Sequence, residues 1–167
     1  IPYMGRRVFQ YVQEMQTESF ESFENYILFA FDWYDIHSIR TQGSKVVAYL
    51  DRENLIFFCE DAESRNYITG VFKALTDPEP MENHRLVYRF FMYLLRDDMD
   101  TLDEYEDRIN DSEGSVLDDE QHRDLLQKIA LWRRELLQLK HYYEQLDTIF
   151  DEISMCDTGL LPPEAMN

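Results

Sequence analysis

The sequence is poor in the residues that punctuate or cross-link a chain. It has five glycines, five prolines and two cysteines in 167 residues. So few glycines leave no Gly-rich loop to cradle a phosphate, and GxGxxG, GxxxxGK[ST] and GxSxG are all absent. Cys59 and Cys156 give no disulfide framework and no CxxC metal pair, so both read as reduced, packed thiols in a cytosolic setting. Bases are scarce as well. Sixteen Lys and Arg stand against 34 Asp and Glu, for a net charge of −18. That balance excludes unaided binding to nucleic-acid phosphates and disfavours docking on anionic lipid. Long apolar runs are missing. The longest, Tyr26–Phe31 and Leu86–Leu95, fall short of the ~18 uncharged residues of a membrane span, and Arg89 interrupts the second. No basic segment leads into an apolar one, so there is no signal peptide. The first residue is Ile, which reads as a fragment or a processed product.

What is present points to one folded domain over 1–167. A 44 % apolar fraction with 14 % aromatics argues against disorder. Residues 1–76 read as a sheet-and-helix part. Val8, Tyr11, Val12 and Met15 predict a short helix over about 6–17. The segment Tyr26–Tyr34 is dense in aromatic and β-branched residues and predicts a buried first strand. A loop follows at Ser38–Ser44. The runs Lys45–Asp51 and Asn54–Glu60 predict a hairpin, and Asp61 predicts the N-cap of a helix from Ala62 to Leu75. Asp77–Pro80 then breaks the chain.

Residues 81–156 differ in kind. Tyr88, Phe91, Leu95, Asp98, Leu102, Tyr105 and Ile109 alternate three and four residues apart, with Asp98 the only polar member. A second series, Leu125, Ile129, Trp132, Leu136, Leu139, Tyr143, Leu146, Phe150 and Ile153, has none. Such alternation is a coiled-coil seam. It predicts a long antiparallel helical hairpin with arms of roughly 40 and 55 Å, joined through a connector at Asn110–Val116. Ser115 with Asp118 resembles a capping box. The fold class expected is α/β (α+β), a small mostly antiparallel sheet packed with helices and followed by this hairpin.

The acids are concentrated. Twelve lie in residues 97–120 with Arg108 the only base, a net −11 of the chain's −18. Clustered carboxylates attract hard divalent cations such as Mg²⁺, while the plainer reading is a solvated hairpin tip. Asp97, Asp98, Asp100, Asp103 and Glu104 are the metal candidates, weak and regulatory in character. An EF-hand is excluded, because Gly114 at its sixth position puts Ile109 at the first. His37, His84, His122 and His141 form no metal-binding spacing, and no catalytic constellation is evident.

In order, these pieces resemble the N-terminal cytoplasmic domain of CorA-type magnesium transporters. Phe23-Glu24-Asn25-Tyr26 looks like the family's entry into a central strand. Trp132-Arg133-Arg134-Glu135-Leu136-Leu137-Gln138-Leu139-Lys140 is similar to its second long helix. The resemblance implies an α/β/α domain, a pentameric funnel on the cytoplasmic face of the bacterial inner membrane, and Mg²⁺ or Co²⁺ transport gated by divalent cations. It also implies attachment to the membrane only through spans that would begin after Asn167. The family's extra upstream strands are expected to be missing. Aligned without gaps on Phe23–Tyr26, the family's two sensing aspartates fall on Gln10 and Tyr93, so the resemblance implies a different sensing arrangement or a shifted register. The alternative is a free-standing coiled-coil interaction module. No enzyme is expected.

Overall fold

The structure is a computed structural model, and it describes residues 6–14, 19–36, 43–75, 82–113, 119–156 and 159–160. Helix α1 (Arg6–Glu14) precedes strands β1 (Ser19–Ser22), β2 (Ile27–Trp33), β3 (Ser44–Leu50) and β4 (Leu55–Cys59). Helices α2 (Ala62–Ala74), α3 (Asn83–Leu94), α4 (Asp98–Glu113) and α5 (Asp119–Met155) follow. The strands form one antiparallel sheet in the order β1-β2-β3-β4.

The period of two along the central strands sorts their side chains between two helical layers. Ile27, Phe29, Phe31 and Trp33 of β2, with Val46, Ala48 and Leu50 of β3, face a core built by α2, α3 and α5. Leu28, Ala30 and Val47 face the other way, onto Val8 and Tyr11 of α1. Both faces are covered, which is why β2 carries almost no polar residue. Its one acid, Asp32, marks where β1 has run out as a neighbour, since β1 pairs only as far as Ala30. The Asp32 N–H is bonded instead by Gln145 Oε1 of α5 at 2.8 Å, and Gln145 is itself buried.

Local signals fix the turns. Asp51 accepts from the N–H groups of Glu53 and Asn54 at 2.8 and 2.6 Å, closing the β3–β4 turn. Asp61 caps α2 by accepting from Ser64 N at 2.8 Å, and Ser44 Oγ donates to its other oxygen at 2.6 Å. Ser64, Ile68 and Val71 then bury one stripe of α2.

Three expectations need correction. A strand does precede Tyr26: β1 forms from Ser19–Ser22, a polar run with no apolar alternation to announce it. The first hairpin arm is not continuous. It breaks at residues 95–97, where Leu95 leaves helical geometry and Asp98 N bonds back to Leu95 O at 3.3 Å. The second seam is packed along only part of its length. Leu139, Leu146 and Ile153 are buried, but Ile129 is 47 % and Leu136 37 % exposed. The buried stripe of the C-terminal half also takes in Tyr142, Gln145 and Ile149, a wider face than a two-helix seam, because it lies on a sheet. At 37 residues α5 is about 55 Å long, as expected. Its antiparallel run is visible in its contacts: Phe91 meets Phe150, Tyr105 packs on Leu139, and Arg108 lies over Trp132. The connector expected at Asn110–Val116 is helical as far as Glu113, where α4 ends; its remainder, the loop at 38–42, the break at 77–80 and the cap at 115–118 lie outside the described residues.

Candidate functional site

The acids meet the sheet at the α3–α4 junction. Asp97 and Asp98 are good helix starters, and they stand where α4 begins. The carbonyl of Asp97 accepts from Thr101 N at 3.2 Å and from Thr101 Oγ1 at 3.1 Å. Asp98 turns inward. It is only 6 % exposed, and Tyr143 Oη of α5 donates to its Oδ2 at 2.8 Å. The single polar member of the first seam is therefore bonded by a member of the second. Burial pushes the Tyr143 hydroxyl well above its ordinary pKa, and the bond to Asp98 adds to the shift. Asp97 stays exposed and accepts from Arg96 Nε at 2.8 Å, while the Arg96 guanidinium stacks on Tyr93 at 3.5 Å.

Asp100, Asp103 and Glu104 are exposed on the outer side of α4. The five candidates thus divide into one buried acid, one ion-paired acid and three solvent-facing ones. Among the described residues no group of three or more His, Cys, Asp or Glu converges to hold a metal ion. The first three candidates sit at the junction, next to the end of β2, rather than at the far end of the hairpin.

The Phe23–Tyr26 segment forms the β1–β2 turn. Phe23 N donates to Tyr26 O at 2.8 Å across Glu24-Asn25. The two rings stack at 4.4 Å, and Tyr26 stacks in turn on Tyr49 at 5.6 Å. Glu24 and Asn25 are exposed at the turn, so the motif shapes a hairpin over the α1 face. Gln10 is exposed on α1 and donates to Glu14 at 2.7 Å. Tyr93 packs against the core on the opposite face. Neither position offers a carboxylate.

Sequence reasoning missed the cavity of about 170 Å³ beside the junction, walled by the end of β2, by Tyr67 of α2, by residues 94–98 and by Tyr142 of α5. Its aromatic lining was legible only as core. Its one sequence signal is Asp98, a lone acid in an apolar seam.

The family model of the CorA-like Mg²⁺ transporter protein matches residues 7–167. The chain belongs to this CorA-like family. No curated protein matches it. Membership makes this a domain related to Mg²⁺ transport, and at the level of the family a part of a transporter rather than of an enzyme. No helix among the described residues of this CorA-like chain is long and apolar enough to cross a membrane.

Proposed function

We propose that the chain is the regulatory domain, on the cytoplasmic face of the membrane, of a CorA-like channel for Mg²⁺ or Co²⁺, and that divalent cations acting on it close the pore. The observation that carries this reading is the family match across residues 7–167. A sheet covered by helices on both faces, followed by a helical hairpin, agrees with it.

The cation chemistry follows from α4. Its exposed carboxylates are hard oxygen donors of the kind Mg²⁺ takes. No three acids of one chain converge among the described residues, so a bound ion would draw carboxylates from a second copy. A homo-oligomer, pentameric as the family resemblance implies, supplies that copy. An ion shared between copies favours whichever arrangement brings its ligands together, and this is the coupling that gating needs.

The test is flux through the full-length protein in proteoliposomes. Inward Mg²⁺ flux is expected to fall as Mg²⁺ rises on the domain side. Combining Asp100→Asn, Asp103→Asn and Glu104→Gln is expected to raise the inhibiting concentration. No flux, or inhibition indifferent to these substitutions, sinks the reading.

The exposed Leu126, Ile129 and Leu137 favour a second role, docking of a partner helix on the N-terminal half of α5. Partner capture lost with Leu137→Asp but kept with Asp100→Asn distinguishes that role from cation sensing.

A further inference from the structure

The cavity at the end of β2 is lined by aromatic rings and carboxylates. Its wall holds four aromatic rings, Trp33, Tyr34, Tyr67 and Tyr142. It also holds three carboxylates, Asp35, Asp97 and Asp98, against the single base Arg96. That base is already engaged, bonded to Asp97 and stacked on Tyr93. Net charge in the wall is therefore negative.

A second observation points to a ligand. Tyr142 is 2 % exposed and lines the cavity, its hydroxyl makes no hydrogen bond found among the described residues, and its oxygen is not one of the fully enclosed atoms without a partner, so it reaches the open space of the cavity. A tyrosine so deeply buried ordinarily bonds its hydroxyl. Here the available space is the cavity itself. The volume of about 170 Å³ equals roughly five to six waters at ~30 Å³ each, room for an ammonium head and a few methylenes. Mg²⁺ fits poorly, because it demands near-octahedral oxygen coordination while four of the ten lining residues are aromatic and no three acids converge among the described residues. Aromatic faces with carboxylates suit an alkylammonium ion, which gains from both.

We propose that this cavity binds the ammonium end of an alkylamine. The carboxylates of Asp97 and Asp98 balance its charge, the Tyr142 hydroxyl accepts one N–H, and the Trp33–Tyr67 pair, whose rings pack on each other at 4.8 Å, lines one side of its methylenes. This goes beyond Mg²⁺ regulation through α4, and its test measures no flux, so either reading can fail alone.

Calorimetric titration of the whole chain with 1,4-diaminobutane at fixed ionic strength tests it. Saturable binding at one per chain is expected, with n-butanol giving none. Tyr142→Phe removes a hydroxyl with no hydrogen bond among the described residues, and Asp97→Asn changes an exposed side chain, so both variants are expected to keep a melting curve close to that of the wild type. Each is expected to weaken binding three- to tenfold. A lysine side chain of a partner protein presents the same chemistry. Tighter binding of Nα-acetyl-lysine methylamide at the same residues supports the site and assigns that source. Absence of saturable binding at tens of millimolar amine overturns the proposal. So does binding indifferent to Tyr142→Phe, or displacement by Mg²⁺ with the same dependence on Tyr142.

Discussion

Replacing Tyr143 by Phe removes one oxygen and tests how α4 is held to α5. The Tyr143 hydroxyl donates at 2.8 Å to an Asp98 carboxylate that is 6 % exposed. A hydrogen bond to a charged group contributes about 1.5–3 kcal/mol, and the burial of Asp98 places this one toward the upper end of that range. For a chain of this length that is a melting-temperature drop of about 3–12 °C. The control is Tyr49→Phe. That hydroxyl also donates to an aspartate at 2.8 Å, but Asp51 keeps the Glu53 and Asn54 N–H groups. Its loss costs about 0.5–1.5 kcal/mol. Urea unfolding of both variants at neutral pH, with an unchanged slope, gives the comparison directly. Two results refute the reasoning: Tyr143→Phe within ~0.5 kcal/mol of the wild type, or Tyr49→Phe at least as damaging. Asp98→Asn separates charge from geometry, since the amide still accepts the bond and should recover part of the loss.

Alkaline pH should unfold the chain early. Burial and the bond to Asp51 push Tyr49 up to about 12, and Tyr67, Tyr105, Tyr142 and Tyr143 are raised as well, burial leading in each. Raised groups stabilise fully below the unfolded pKa, near 10, and lose that contribution as pH climbs through the folded value, so stability should fall steadily above about pH 10 in pH-dependent urea melts. Leu146→Ala and Ile149→Ala should cost about 2–5 kcal/mol, whereas Leu137→Ala should change urea stability by less than ~0.5; equal effects would mean that α5 is packed at Leu137 as it is over the sheet. Asp61→Ala should cost about 0.5–2 kcal/mol through the lost α2 cap, and Asp61→Asn much less. Millimolar Mg²⁺ should raise the melting temperature modestly, with Ca²⁺ matching it, and Asp100→Asn with Asp103→Asn should blunt both. A response to Mg²⁺ alone would indicate a formed site.

The sheet was legible where its residues are fully committed to it. Tyr26–Tyr34 and the 45–60 hairpin could be read because two covered faces force nearly continuous apolar strands. Asp61 was legible because capping chemistry is local. β1 was not, because Ser19–Ser22 has a single apolar residue, Phe20, and its order comes largely from pairing with β2. The α3–α4 break was written in Asp97-Asp98, two helix starters placed mid-helix, but the seam spacing runs through them unchanged and conceals it. Spacing could not tell which half of the α5 seam finds a partner either. Tyr142, Leu146, Ile149 and Ile153 lie over the sheet, Leu139 packs on Tyr105 of α4, and Ile129 and Leu136, of the same residue types, stay exposed. For the cavity, Asp98 was visible as an anomaly. Its neighbours from β2, α2 and α5 come together only in three dimensions.

The acids of α4 also carry a cost within one chain. Asp100, Asp103, Glu104, Asp107 and Asp111 recur three and four residues apart, so they share one face, with buried Asp98, Thr101 and Tyr105 on the other. Three of their pairings are i,i+4 like charges, together destabilising by about 1 kcal/mol. Arg108, exposed itself, lies with its guanidinium near the rings of Tyr105 and Trp132. A helix that repels itself along its solvent side gains from any cation that collects there. The gain is larger if a second copy brings bases or shares the ion, because the repulsion is then relieved without localising a dehydrated Mg²⁺ on one chain. This is why diffuse attraction on a single copy and a defined response in an assembly are compatible, and why the α4 face belongs in the flux test rather than in a search for a single-chain metal site.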